Sequence, residues 1–344
     1  MKLIISKINT LGGRVTPPAS KSQTIRALFV ATLARGTSLL RNFLFADDTQ
    51  AAISVCRAFG AQVIFEENNT VRVTGSGTPL NIGVKKIFTA DSGITTRFFL
   101  PILGLRKDNS EPILLDCGEQ MKQRPITSLV DGLRDLGLSI KYAGERNHLP
   151  VLVSGKLLGG ETKVDGITSQ YLSALLLTLP LAEQDSSILV EDLHERPYLG
   201  MTIRFLREQN IEFKQLSDKN FDVFKIKGGQ RYSPFQKTIP SDFSSASYLI
   251  AAAALLPGES VLTGIDMSDT QGDKRLVYIL QEMGADIQIN DSELLISGGK
   301  KLNGVKIDAN DIPDLVPTLA VIGTQAEGTT HITNVKQARL KETD

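Results

Sequence analysis

Hydroxyl, amide and guanidinium side chains gather at a recurring place in this chain, the start of an apolar helix-like run. Ser20, Lys21, Ser22 and Arg26 stand at one such start, Ser92, Gly93, Thr95 and Arg97 at a second, and Thr168, Ser169 and Gln170 at a third. Arg124-Pro125, with Lys122 just before it, opens a further helical stretch. Free N–H groups and the dipole of a helix start attract anions. Arg forks and hydroxyls match phosphate and carboxylate oxygens. Simple capping and solvated charge explain any one of these positions; several of them together point to anion binding. Acids also lie near helix starts: Asp48, Asp242, Asp273, Asp314 and Glu342. Negative charge is favourable there in any case, so a lone Asp reads as a cap before it reads as a proton shuttle. Cys117, ending the strand PILLDCG, reads as a small buried hydrophobe, and His194 as a loop residue.

The elements that would carry these groups repeat. SKSQTIRALFVATLARGTSLLRNF begins at Ser20, DSGITTRFFLPILGLRKDNSEPILLD at Asp91, SQYLSALLLTLPLAEQDSSILVED at Ser169, DFSSASYLIAAAALLPGESVLTGI at Asp242 and DLVPTLAVIGTQAEGTTHITNV at Asp314; the starts are 71, 78, 73 and 72 residues apart. Each has a capping residue, an apolar helical run, a small polar turn and a β-branched strand. Between them lie amphipathic segments, with Ala52, Val55 and Phe59 on one face of the first and Leu129, Leu133 and Leu136 on one face of the second. The unit predicted is α-β-α-β-β, with a further strand leading into the next cap. Three units over 20–240 make one lobe, and 1–19 plus 241–344 belong to another. Two chain crossings between lobes imply a hinge and a cleft, a common setting for a small-molecule site.

Composition sets limits on partners. Among 344 residues, 38 Lys+Arg balance 38 Asp+Glu, which argues against nucleic acid or an anionic membrane as a bulk partner. No apolar run reaches the ~18 residues that span a bilayer. Lys7 and Asn9 interrupt the opening apolar stretch, so a signal peptide is not expected. Two distant cysteines and three scattered histidines (His148, His194, His331) give neither a disulfide framework nor a His/Cys metal pattern. The expectation is a cytoplasmic protein that handles small molecules.

At these same residues a family resemblance appears. PPASKSQTIRALFVATLARGTSLLRNFLFADDTQAAI, GEQMKQRPITSLVDGLRDLG, SQYLSALLLTLPLA, PSDFSSASYLIAAAAL, TQGDKR and ARLKETD resemble, in order and spacing, the motifs of the 5-enolpyruvylshikimate-3-phosphate synthase family. The resemblance implies an α/β fold of two lobes, the enolpyruvyl-transferase inverse α/β barrel. It implies transfer of the enolpyruvyl group of phosphoenolpyruvate to the 5-hydroxyl of shikimate 3-phosphate, in chorismate and aromatic amino-acid biosynthesis. No metal or organic cofactor is implied, and a monomer is expected. On this resemblance Lys21 touches both substrates, Ser22 and Arg26 hold the shikimate carboxylate, and Thr168 and Ser169 bind its phosphate. Gln170 lies beside both ligands, Gly93 and Arg124 meet the phosphoenolpyruvate phosphate, and Tyr198 flanks the shikimate site. Asp314 and Glu342 match the acid-base carboxylates, and Lys341 a lysine at the ring hydroxyls.

The chain departs from the family pattern at several places. Asp91 and Ile94 replace residues of an Asn-Ala/Ser-Gly-Thr run, Gln120 stands where Arg is common, and Glu195 where a phosphate-binding Ser is common. The chain ends at Asp344, before an Arg, an Asp-His-Arg segment and a late Lys that the family carries, so the second lobe is expected to be incomplete. Two alternatives stay open at this point. One is a truncated or decayed homologue that binds shikimate 3-phosphate without turnover. The other is the UDP-N-acetylglucosamine enolpyruvyl transferase, which has Asn where Ser22 stands and uses a loop Cys that Cys117 matches poorly.

Overall fold

The computed structural model describes residues 4, 6–218 and 221–340. The chain divides into two compact units, one made of residues up to Ser20 with Pro240–Ala338, the other of Lys21–Ile239. Strand β1 (Gly13–Val15) belongs to the first.

The second unit runs three times through one order. The first pass is α1 (Lys21–Leu33), β2 (Arg35–Arg41), α2 (Asp47–Ala58), β3 (Gln62–Glu66), β4 (Thr70–Ser76) and β5 (Lys86–Phe88). The next is α3 (Gly93–Ile102), β6 (Ile113–Asp116), the short α4 (Glu119–Lys122), α5 (Thr127–Asp135), β7 (Leu138–Tyr142), β8 (Val151–Gly155) and β9 (Gly160–Asp165). The last is α6 (Ser169–Thr178), β10 (Ser186–Glu191), α7 (Arg196–Glu208), β11 (Phe213–Ser217), β12 (Phe221–Ile226) and β13 (Gln236–Thr238). The strand leading into each cap does not join its own repeat's sheet. β5 pairs parallel with β6, β9 with β10, and β13 returns to β2, so the three four-stranded sheets exchange strands in a closed ring. The remaining ladders are antiparallel, as tight connections such as the one between β3 and β4 allow.

Helix character follows the apolar pattern. α1, α3 and α6 are apolar nearly all round, and almost every residue in them is buried. Their few hydroxyls bond inward, as Thr32 Oγ1 does to the Leu28 carbonyl and Thr178 Oγ1 to that of Ala174, at 2.8 Å each. The rings of Phe29, Phe98 and Phe99 meet edge-on between α1 and α3. The amphipathic α2, α5 and α7 bury only one face.

The first unit repeats the design with α8 (Phe243–Leu255), β14 (Gly258–Thr263), α9 (Arg275–Glu282), β15 (Asp286–Asn290), β16 (Glu293–Gly298) and β17 (Lys306–Asp308), then α10 (Val316–Gln325) and β18 (His331–Thr333). β1 pairs parallel with β14 and β17 with β18, the same strand exchange. Gly298 marks where the end of α8 abuts the sheet, since a Cβ there would overlap the Ala253 and Leu256 carbonyls. Gly75 in β4 sits in the same way against the end of α1. No helix among the described residues is long and apolar enough to cross a membrane.

Candidate active site

Three helix starts of the second unit carry the anticipated groups. At α1, Lys21 is half-exposed, and its Nζ lies 3.5 Å from Asp48 Oδ2 in the first turn of α2. Ser22 is half-buried, and its carbonyl accepts from Arg26 Nη1 at 3.0 Å. Arg26 is only 1% exposed. Its Nε donates to Thr202 Oγ1 at 2.9 Å and its Nη2 to the Tyr198 carbonyl at 3.1 Å, while Thr202 Oγ1 donates to Ser173 Oγ at 2.9 Å. The guanidinium also lies over the Phe98 ring, 5.1 Å from its centroid. Burial pulls Arg26 down to about 10, still a cation at neutral pH. Three of the five Arg26 N–H donors go to protein groups, and the guanidinium ties α1, α3, α6 and α7 together.

At α3, Ser92 caps the helix, its Oγ accepting from Thr95 N at 3.4 Å. Gly93 follows with buried guanidinium groups against it: a Cβ would stand 2.9 Å from Arg124 Nη1 and 3.4 Å from Arg97 Nη1. Arg97 donates to Gln170 Oε1 at 2.7 Å and to the Pro125 carbonyl at 3.2 Å, which also accepts from Tyr171 Oη at 2.6 Å. These two bonds to Pro125 hold Arg124-Pro125 in the connection after α4. From sequence this pair is expected to open a helix; in the structure α5 begins later, at Thr127, with Ile126 at the cap position. Thr95 Oγ1 reaches the Asp48 carbonyl at 3.4 Å and so joins this start to that of α2, whose Asp48 side chain meets Lys21.

At α6 the cap is Thr168, one residue before Ser169, with its Oγ1 accepting from Gln170 N at 3.3 Å. The buried Ser169 donates from Oγ to Glu195 Oε2 at 3.0 Å. Tyr198, half-buried in the first turn of α7, donates its amide to the Glu195 carbonyl at 3.0 Å.

The departures from the family pattern lie at or next to helix starts. Asp91 is turned to the start of α4, where Oδ1 accepts from Met121 N at 3.1 Å. Ile94 is buried in α3, and Gln120 is exposed. His194 lies in the connection before α7, with Nε2 3.1 Å from Asp192 Oδ2. Burial, helped by the neighbouring Asp116, pushes the Cys117 thiol up to about 12, which suits a packing residue and not a nucleophile.

Asp314 lies in the first unit, half-buried in the tight turn Pro313–Leu315 that leads into α10. Lys341 and Glu342 lie outside the described residues. Arg97, grouped from sequence with the helix-start cations, and Asp48, read there as a helix-start acid, both belong to the network; Thr202 joins it with no role anticipated from sequence. Arg97 stands six residues after Asp91, as Arg26 stands six after Ser20. An open groove of about 1270 Å³ runs along the sheet of β9–β12 near Glu161, Lys214 and Lys225, and none of the anticipated residues lines it.

Comparison with known proteins gives a consistent picture. The family model described as EPSP synthase (3-phosphoshikimate 1-carboxyvinyltransferase) matches residues 5–344. The 3-phosphoshikimate 1-carboxyvinyltransferase of Acetivibrio thermocellus is 41% identical over 332 residues, covering 96% of this chain and 77% of that protein. That of Methanococcus maripaludis (strain C7) is 37% identical over 346 residues, covering 99% and 79%. Among solved structures, an EPSP synthase from Acinetobacter baumannii superposes with a TM-score of 0.81 at 24% identity, over 97% of this chain and 76% of that one. The enolpyruvyl transferase NikO from Streptomyces tendae gives a TM-score of 0.72 at 17% identity, over 94% and 75%. At such identities the two structures bear on the fold alone.

Proposed function

The chain belongs to the EPSP synthase family, and from that premise we propose that it transfers the enolpyruvyl group of phosphoenolpyruvate to the 5-hydroxyl of shikimate 3-phosphate, releasing phosphate. The observation that carries the reading is the pair of buried guanidinium groups, Arg97 and Arg124, set against the side-chain-free start of α3 at Gly93. Positive charge concentrated on a helix start, with room for close approach, suits a phosphate group.

In this reading the donor phosphate sits at Gly93 and Arg124, and Lys21 and Gln170 lie beside both substrates. Ser22, Thr168, Ser169 and Tyr198 receive the acceptor. Arg26 is proposed, with Ser22, to hold the acceptor's carboxylate, and its bonds to the Tyr198 and Ser22 carbonyls and to Thr202 fix its place. The acceptor hydroxyl adds to C2 of phosphoenolpyruvate as C3 takes a proton. Loss of phosphate and of a proton from C3 then leaves the enol ether. The cations stabilise the charge that moves onto the departing phosphate. Asp314 and Glu342 are the proposed acid-base pair, with Lys341 at the ring hydroxyls. The same reading takes the enzyme as a cytoplasmic monomer that needs no metal or organic cofactor.

The test is phosphate release by the 344-residue chain given shikimate 3-phosphate and phosphoenolpyruvate, with the enol ether identified by mass spectrometry. We expect product and phosphate in equal amounts, and none with UDP-N-acetylglucosamine as acceptor. No turnover with shikimate 3-phosphate overturns the proposal.

A further inference from the structure

Ser169 offers an amide and a hydroxyl at the first turn of α6, the two donors a phosphate oxygen would take there. A carboxylate of the chain itself is already on them: Glu195 Oε2 lies 3.0 Å from Ser169 Oγ and 3.4 Å from Ser169 N. Glu195 is only 3% exposed and sits just before α7 at φ 54, a left-handed conformation that costs a non-glycine residue of order 1 kcal/mol. The backbone around it is held on both sides, by His194 N on the Gly166 carbonyl and by Tyr198 N on the carbonyl of Glu195, each at 3.0 Å. The neighbouring Arg196 is turned to Asp222, 2.8 Å away. The carboxylate is thus a fixed part of this end of the site.

We propose that Glu195 is a specificity-determining residue of the acceptor site: its carboxylate holds the donors at the start of α6, so a phosphate ester engages them only by displacing it. Two anions cannot share one amide and one hydroxyl without strong mutual repulsion. The chain should therefore discriminate weakly between a phosphorylated acceptor and the corresponding alcohol. This inference rests on the reading of Ser169 as part of the acceptor site.

Calorimetry with shikimate 3-phosphate and with shikimate, on the full chain, on Glu195→Ser and on Glu195→Gln, tests it. We expect the unaltered chain to bind the two ligands within about tenfold of each other. Glu195→Ser should tighten shikimate 3-phosphate at least roughly tenfold and leave shikimate within about twofold, with Glu195→Gln giving part of the gain. Unchanged or weaker binding of shikimate 3-phosphate in both folded variants overturns the proposal. If neither variant folds, a preference of the unaltered chain for the phosphate ester of about a hundredfold or more overturns it by itself. Failure to bind either ligand in any form also counts against it. Binding as expected without phosphate release refutes the transferase reading and leaves the role of Glu195 standing.

Discussion

Gly93→Ala is the sharpest perturbation of the donor end of the site. The new methyl group would stand 2.9 Å from Arg124 Nη1, 3.4 Å from Arg97 Nη1 and 3.5 Å from Met121 Sδ. The first distance is shorter than a carbon and a nitrogen tolerate, so the Arg124 guanidinium must move by several tenths of an ångström. It is 7% exposed, and the displacement disturbs a buried charged group. Against that, Ala favours the helix over Gly by up to about 1 kcal/mol. The two effects oppose each other, and the net stability change should lie within about 1 kcal/mol, a melting shift of about 2–4 °C for a unit of this size. Binding has no such compensation. The methyl group fills the space through which a phosphate would approach the helix start, and the cation is displaced as well. Losing one charge-assisted hydrogen bond of about 1.5–3 kcal/mol weakens phosphoenolpyruvate roughly ten- to a hundredfold.

Steady-state kinetics with each substrate varied in turn, alongside thermal melting, reads all of this. We expect KM for phosphoenolpyruvate to rise by that factor while KM for shikimate 3-phosphate stays within about twofold. An unchanged KM for phosphoenolpyruvate in a normally folded variant refutes the placement of the donor phosphate at Gly93 and Arg124. A parallel rise for both substrates, with a large fall in melting temperature, refutes the argument that the clash is local.

Thr202→Val keeps the side-chain shape and removes the acceptor for Arg26 Nε and the donor to Ser173; we expect a loss of roughly 2–3 kcal/mol, seen as a melting drop of about 5–10 °C. Gly298→Ala forces a Cβ into the backbone carbonyls of Ala253 and Leu256, which cannot swing away as a side chain could, and should destabilise the first unit by roughly 3 kcal/mol or more in denaturant titration. Burial pushes both Cys56 and Cys117 up to about 12, so neither thiol should react with a maleimide at pH 8 until the protein is unfolded. Their raised values also make stability fall as pH rises from about 9 to about 12, because the unfolded chain gives up those protons first; replacing both by Ala should flatten that limb of the pH–stability curve.

The repeat, its two helix types and the residues at the helix starts were legible because they follow from local pattern. An apolar run such as LSALLLTL can only be a buried helix, and an amphipathic one such as SLVDGLRDLG can only cover a core with one face. The destination of the last strand in each repeat was not legible. KIF, GETKVD and QKT are short and individually weak, and their partners β6, β10 and β2 are set by the closing of the ring, a tertiary event with no local signature.

At the site the same division holds. Residue types near helix starts could be read as anion-binding, but the direction of each side chain depends on what it meets. Arg26 and Arg97 occupy the same place in their repeats, yet Arg26 is spent on Thr202 and Tyr198, far along the chain, while Arg97 reaches Gln170. Glu195 is the clearest case. In sequence it is a departure at one position of a motif. In the fold it is an anion seated on Ser169, the residue expected to receive one. On the proposed role of Glu195, a substitution read from sequence as a lost hydroxyl becomes a gained competitor, and the consequence for acceptor choice follows from the sign of that charge together with the identity of the donors it holds.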